Sequence, residues 1–315
     1  MSKNKILSGM LVLFSMGLAT VSARAEGTVL LRHHWTKGTT FRLQLTVMQK
    51  VDQAIPQRPI HIDQTTGIGF TYAVLGVAPD GTATVRATFR SLVMRQDSPY
   101  AHIYYDSRQP GVPVPQGAES FAALKGQGFT MQITPRGQIT NLVGIEQMVA
   151  AMLKASRIPA GPQKAALEKS IRDLYSPHYM RNLMEKASPL YPAGRVGVGS
   201  RWTSAQSLVK PFPMTVGVTY QIVGLRHGTA DIRFTSTIHG DPSQSVYHLP
   251  GQSVSVQIGG TQTGTMKIDT ATGWQRDVNF EQYIAGHIRV NAAGQPQPLS
   301  WPLTIYSVGR MTTTP

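Results

Sequence analysis

The stretch FTYAVLGV, residues 70–77, is repeated later in the chain as VTYQIVGL, residues 218–225. The segment that follows is repeated as well, as GTATVR at 81–86 and as GTADIR at 228–233. Within these segments apolar and polar residues alternate, which is the period of a β-strand with one buried face. Each pair of segments is joined by a short turn that ends in glycine, which is typical of a β-hairpin. The pattern therefore predicts two copies of one antiparallel meander.

Further matching pairs occur in the same order along the chain. GTTF at 38–41 corresponds to GSRW at 199–202, and TMQIT at 130–134 corresponds to TMKID at 265–269. Two β-rich stretches can share Thr, Val and Gly by composition alone, but a shared order favours an internal duplication. We therefore expect a mainly β protein, built as an internally duplicated antiparallel curved sheet or half-barrel. The repeat leaves open whether the copies form one sheet or two packed lobes.

A helical insert separates the two copies. Ile145, Met148, Val149 and Met152 follow the spacing of one helix face, and two further short helices are predicted around Leu167 and after Ser176. Helices beside a sheet with one apolar face are expected to cover that face. We thus expect three short helices between the copies.

The first residues have the features of a bacterial export signal. Lys3 and Lys5 precede a short apolar run, and Ala23-Arg24-Ala25 places small residues at the cleavage positions. The run is shorter than the roughly 20 apolar residues of a membrane span, although an uncleaved anchor is an alternative. We expect cleavage near Ala25 and a protein that works in the periplasm or is secreted. The predicted division of the chain is a signal peptide at 1–25, a first β repeat at 26–143, a helical insert at 144–190 and a second β repeat at 191–315.

Composition restricts the chemistry. The chain has no cysteine, which removes disulfides, thiolate zinc sites, iron–sulfur clusters and thiol nucleophiles. Its formal charge of +14 becomes +11 without Lys3, Lys5 and Arg24. The basic residues are scattered, and in an exported protein they favour acidic lipid or an acidic environment rather than nucleic acid. We expect no nucleic-acid partner.

No catalytic motif is present. The chain lacks a G-x-S-x-G elbow, an H-E-x-x-H pair, a P-loop and a G-x-G-x-x-G turn. The histidines are dispersed, and a strand such as His61-Ile62-Asp63 offers at most two ligands to zinc, which normally takes four. We expect neither an enzyme, nor a cofactor, nor a metal site.

Two groups of residues are candidates for ligand binding. Flexible methionine side chains on the helical insert suit a lid over a variable apolar ligand, with plain core packing as the alternative. An aromatic stripe in an insertion of the first copy, at 91–127, suits stacking on a ligand, with an interface between strands as the alternative. The candidates are Met148, Met152 and Met184 in the first group and Tyr100, His102 and Tyr104 in the second.

Three segments carry a resemblance to known proteins. They are KGTTF at 37–41, GQGFTMQI at 126–133 followed by Gly137, and VGSRW at 198–202. With these motifs the chain resembles an uncharacterised family of exported bacterial β-rich proteins, and this family implies no catalytic residues. More loosely, the expected architecture resembles the half-barrel lipoprotein and lipid carriers of the bacterial envelope.

These observations lead to two hypotheses about function. The first is a periplasmic, non-enzymatic binding protein or carrier for a hydrophobic or amphipathic ligand such as a lipid. The second is a cell-envelope interaction or assembly module, without a small ligand, in which the long loops at 51–66 and 91–127 hold a protein partner. We expect a monomer in either case.

Overall fold

The structure, a computed structural model, describes residues 27–156, 159–177, 180–181, 184, 191–208, 213–241, 246–249, 252–292 and 297–315. The predicted signal peptide and its cleavage site lie outside these ranges. The strands are β1 (Thr40–Gln53), β2 (Ile60–Val77), β3 (Ala83–Ser98), β4 (Ala101–Asp106), β5 (Gly128–Ile133), β6 (Ile139–Val143), β7 (Arg201–Leu208), β8 (Met214–Arg226), β9 (Thr229–Gly240), β10 (Val246–Leu249), β11 (Gln252–Asp269), β12 (Gln275–Ala292) and β13 (Leu299–Thr314). The helices are α1 (Glu119–Ala122), α2 (Ile145–Ala155) and α3 (Pro162–Leu174).

The protein is mainly β, as the alternation predicts, and its strands form one antiparallel sheet. The order is β6-β5-β3-β2-β1-β13-β12-β11-β9-β8-β7, with β4 on β3 and β10 on β11. The two copies meet where β1 pairs with β13, from Arg42 opposite Thr314 to Gln53 opposite Leu303. The two copies therefore form one continuous sheet and not two packed lobes.

The duplication extends to local backbone irregularities. In each copy the pairing of the second and third strands skips one residue, after Val74 and after the matching Ile222. The amide of Gly38 donates to the carbonyl of Val74 at 2.9 Å, and the amide of Gly199 donates to the carbonyl of Ile222 at 2.9 Å. Because a β-bulge re-aims the strand that carries it, each copy bends at the same point.

Apolar residues of one sheet face form two cores. The first core lies under α2, which buries Met148 and Met152 against the strands of the first copy. The second core lies on the second copy and is covered by Leu31, Tyr191 and Val196 from two extended segments. The helical insert therefore covers the first copy, whereas irregular chain covers the second.

The structure differs from the predicted elements in the helical insert at 144–190 and in the long segments predicted as loops. Residues 91–127, predicted as a long loop, contain the end of β3, β4 and α1, and the other predicted loop, 51–66, contains the end of β1 and the start of β2. Of the third predicted helix, Pro177, Met180, Arg181 and Met184 have helical backbone, and its other residues lie outside the described ranges. None of the helices within the described ranges combines the length and apolar character that crossing a bilayer requires.

Candidate functional site

A cavity of about 60 Å³ lies where the two copies meet the segment before β1. One water needs at least about 10–15 Å³ of such space, so the cavity has room for a few waters. Both copies, the N-terminal segment and the helical insert contribute to its wall, and we call it the junction cavity. It is lined by His33, Trp35, Leu43, Tyr72, Met131, Ile133, Gly137, Ile139, Met184, Trp274, Gln275, Met311 and Thr313.

The segment before β1 is tied to equivalent turns of the two copies. The amide of His33 donates to the carbonyl of Pro135 at 2.7 Å, in the turn between β5 and β6. The amide of the next residue, His34, donates to the carbonyl of Thr272 at 2.9 Å, in the turn between β11 and β12. Adjacent residues of an extended chain point in opposite directions, so this arrangement directs His33 inward and leaves His34 exposed.

A second segment, which precedes β7, joins the same two turns. The amide of Tyr191 donates to the carbonyl of Arg136 at 3.0 Å, and its hydroxyl donates to the carbonyl of Gly273 at 2.6 Å. Gly273 has a φ of +72°, and a Cβ there would collide with the carbonyl of Arg32. Glycine thus permits both the turn and the close approach of the N-terminal segment.

Aromatic rings cluster at the junction cavity, and Trp35, Tyr72 and Trp274 belong to its lining. The ring centroid of Trp274 lies 4.5 Å from that of Phe41, 5.3 Å from that of Trp35 and 5.8 Å from that of Tyr72. The His33 ring lies 5.1 Å from that of Trp35. These distances fall in the range of favourable ring contacts. Because Trp274 belongs to the second copy and Phe41 to the first, this ring cluster is a direct contact between the two copies.

Five polar atoms of the cavity lining are buried without a hydrogen-bond partner among the described residues. They are His33 Nδ1, Trp35 Nε1, Trp274 Nε1, Gln275 Oε1 and Thr313 Oγ1. Buried polar groups in folded proteins are nearly always satisfied by protein, water or ligand. All five atoms belong to residues that line the junction cavity.

The junction cavity is electrically neutral. Burial lowers the pKa of His33 to about 4, with a smaller contribution from the charge of His34. His33 is therefore neutral at pH 7, and burial also raises the pKa of Tyr72. Among the described residues that line the cavity, no other group titrates.

The predicted methionines fall into two environments. Met148 and Met152 are 0% and 4% exposed and pack in the first core, away from the cavity lining. Met184 is partly buried and lines the cavity. Met148 and Met152 therefore pack in the core, whereas Met184 contacts the cavity.

The predicted aromatic stripe lies apart from the junction cavity, with His102 and Tyr104 on the exposed face of β4 and Tyr100 in the turn between β3 and β4. Tyr100 and Tyr104 are 58% and 52% exposed, and Tyr104 alternates with the buried Tyr105. His102 Nδ1 lies 2.6 Å from Asp97 Oδ1 on the neighbouring strand. The guanidinium of Arg58 lies 5.1 Å from the ring centroid of Tyr100. This surface is open to solvent.

Sequence reasoning missed the residues that give the junction cavity its polar character. His33 appears in the sequence as one half of a histidine pair, and Trp274 as an aromatic after a turn glycine. One feature of the sequence points to Trp274. Gly137 and Gly273 occupy matching turns, but Gly137 is followed by glutamine and Gly273 by tryptophan, so the two copies differ at this position. Within the described part of the chain, no three His, Asp or Glu side chains are grouped so as to hold a metal ion.

Comparisons with solved structures return similarities of low identity. Lipovitellin, in a structure of lipid–protein interactions, aligns with a TM-score of 0.44 and 11% identity over 89% of this chain and 25% of that one. Pseudomonas aeruginosa OccK7 (OpdD) aligns with a TM-score of 0.26 and 8% identity over 89% of this chain and all of that one. Pseudomonas aeruginosa OpdQ aligns with a TM-score of 0.21 and 6% identity over 88% of this chain and 99% of that one. The chain therefore spans about a quarter of the lipovitellin chain that it matches.

No curated protein matches the chain. A family model does match, over residues 80–275. The matched region begins at the turn between β2 and β3, includes the helical insert, and ends at Gln275 in the junction cavity. It covers more than half of the sequence. The chain therefore belongs to DUF6263, a family of unknown function.

Proposed function

We propose that this protein is an exported, non-enzymatic binding protein for an apolar or amphipathic ligand, and that the junction cavity holds one end of that ligand. The observation that carries the proposal is the set of five unpartnered polar atoms among aromatic and aliphatic walls. Sites for small molecules are mostly apolar and contain a few convergent polar groups that fix the ligand. The junction cavity has this composition.

The size of the cavity limits how much of the ligand it takes. Sites for whole drug-sized ligands measure roughly 300–1,000 Å³, and the junction cavity measures about 60 Å³. A longer ligand therefore has to extend beyond the cavity. Met184 is the methionine of the wall that comes from the helical insert, and a flexible thioether can move aside at low cost. We place the rest of the ligand beside Met184.

The proposed location is the periplasm or the medium. The basic start, the short apolar run and the small residues Ala23 and Ala25 support export. A chain without cysteine is also independent of the oxidising conditions found there. The net positive charge suits an envelope rich in acidic lipid.

Native mass spectrometry of the mature protein purified from the periplasm, followed by organic extraction, tests the proposal. We expect a stoichiometric apolar adduct that Met184→Asp abolishes while the circular dichroism of the strands is unchanged. Leu174→Asp, at a more exposed position of α3, is the control and should keep the adduct. A clean apo mass with no apolar compound in the extract would refute the binding function.

A second candidate function is a protein-interaction module of the envelope. It is favoured by the exposed aromatic surface of Tyr100 and Tyr104, beside which Arg58 is held. Tyrosine and arginine are enriched in protein interfaces. A photo-crosslinking residue in place of Tyr104 should then capture one defined partner in cells. The same residue in place of Tyr283, which is 50% exposed elsewhere on the sheet, should not.

A further inference from the structure

The unpartnered atoms of the junction cavity have defined hydrogen-bonding roles. Trp35 Nε1 and Trp274 Nε1 can only donate, and the side-chain oxygen Gln275 Oε1 can only accept. His33 Nδ1 and Thr313 Oγ1 can take either role, since the imidazole is neutral and the hydroxyl rotates. A ligand group that satisfies this set has to accept and donate at the same time.

The cavity offers no compensation for a charge. Its titratable lining residues, His33 and Tyr72, are neutral at pH 7. An ionised carboxylate or ammonium that enters such a site loses its hydration and gains no opposite charge, which is strongly unfavourable. An uncharged polar group loses less and recovers hydrogen bonds from the indoles and the glutamine.

Size restricts the group further. On this measure one water needs at least about 10–15 Å³, so a volume of about 60 Å³ holds only a few water molecules. It is far below the roughly 300–1,000 Å³ of a site for a whole drug-sized ligand, so a small end group such as a primary amide or a hydroxyl suits it better than a sugar ring or a phosphate ester.

We infer that the junction cavity binds the uncharged end of an amphipathic ligand, a primary amide or an alcohol, and rejects the carboxylate or ammonium of equal chain length. The inference rests on the proposed function, because it names the ligand group that the same cavity takes. The indole N–H groups of Trp35 and Trp274 are the donors available for the amide oxygen, and Gln275 Oε1 is the acceptor available for the amide N–H.

Isothermal titration calorimetry at pH 7.4 tests this with four six-carbon probes. They are hexanamide, 1-hexanol, hexanoate and hexylammonium, and the last two are ionised at this pH. We expect the amide and the alcohol to bind at least about tenfold more tightly than the two ions, because burying an unpaired charge is costly. The amide, which both accepts and donates, should bind most tightly.

Matched variants locate the binding. Trp274→Phe keeps a ring but removes one donor, so we expect hexanamide to bind about threefold to tenfold more weakly, the effect of one lost hydrogen bond. Trp202→Phe is the control, since Trp202 Nε1 is also buried without a described partner but stacks on Tyr220 in the second core. It should leave the affinity unchanged. Gln275→Met is a second variant at the cavity, should Trp274→Phe fail to fold.

The possible outcomes distinguish failure of this inference from failure of the proposed binding function. Equal or tighter binding of hexanoate or hexylammonium would overturn the inference and leave the proposed function standing. Tight amide binding that Trp274→Phe and Gln275→Met do not weaken would place the amide elsewhere and overturn it as well. Failure of all four probes would overturn the inference, and a clean apo mass in addition would overturn the proposed function as well.

Discussion

The hydroxyl of Tyr191 donates a hydrogen bond of 2.6 Å to the carbonyl of Gly273, a residue 82 positions later in the chain. Tyr191 is fully buried, and its own amide bonds to Arg136 in the matching turn of the first copy. One residue thus joins the turns of both copies beside the junction cavity, through its hydroxyl and its backbone amide. The relative position of the copies at this point depends on contacts that neither copy makes alone.

Tyr191→Phe tests this bond. The substitution removes the donor and leaves the buried carbonyl of Gly273 without it, so we expect a loss of about 1–3 kcal/mol in the free energy of unfolding. Urea denaturation followed by circular dichroism measures the change. Tyr283→Phe, at an exposed position, is the control and should stay within about 0.5 kcal/mol. Equal effects of the two variants would mean that the Tyr191 hydroxyl does not stabilise the junction.

Gly273→Ala should lower the free energy of unfolding more than the addition of one methyl group suggests. The residue has a φ of +72°, and the new Cβ meets the carbonyl of Arg32 and the Cα of His33. A left-handed backbone alone costs an L-residue about 1–2 kcal/mol, so we expect a loss in unfolding free energy above about 2 kcal/mol. Gly76→Ala is the matched control, because it lies in open space without a positive φ. A thermal melt that shows similar losses for both would contradict the packing of the N-terminal segment.

Met148→Ala and Met184→Ala should separate packing from binding. Met148 is completely buried in the first core, and shortening it should cost about 2–5 kcal/mol. Met184 lines the junction cavity, so its truncation should change ligand affinity more than stability. Urea denaturation and calorimetry with hexanamide measure the two quantities. If Met148→Ala alters affinity more than Met184→Ala does, the assignment of the cavity wall is wrong.

The strands were predictable because their signal is local. Alternation of apolar and polar residues and the glycines of the turns identify β2, β3, β8 and β9, and the repeat predicts that Val74 and Ile222 play the same part. The pairing of β1 with β13 was not predictable, since nothing in Leu45 or Met311 specifies that they lie opposite each other. Pairing between the ends of a chain is a property of the whole sheet.

A row of polar side chains illustrates the same limit. On the apolar face it crosses seven adjacent strands in register, through Gln96, Gln64, Gln49, Ser307, Gln282, Gln262 and Ser236. Gln49 Nε2 donates to Ser307 Oγ at 3.1 Å. In the sequence each of these residues is only a polar position within its own strand. The junction cavity was missed for the same reason, because His33, Trp274 and Thr313 meet only after the sheet has formed.

The pH dependence of stability should reveal His33. Burial lowers the pKa of His33 to about 4, below the unfolded value of about 6.5. The unfolded state therefore binds the proton more readily, so the contribution of the neutral ring is fully present above pH 6.5 and is lost as the pH falls towards 4. From pH 8 to pH 5 we expect this residue to remove about 2 kcal/mol from the free energy of unfolding. Urea denaturation at both pH values measures the loss.

His33→Gln should abolish most of that loss, because glutamine does not titrate. His34→Gln, at the exposed neighbour, is the control and should retain it. His61 acts in the opposite direction, since hydrogen bonds to Asp52 and Asp63 raise its pKa. Its contribution is the same in all three proteins, so the difference between variants isolates His33. If His33→Gln loses as much stability at pH 5 as the wild type, the imidazole is not neutral in the folded protein. A charged His33 would place a cation among the indoles, and the junction cavity would then favour carboxylates over amides.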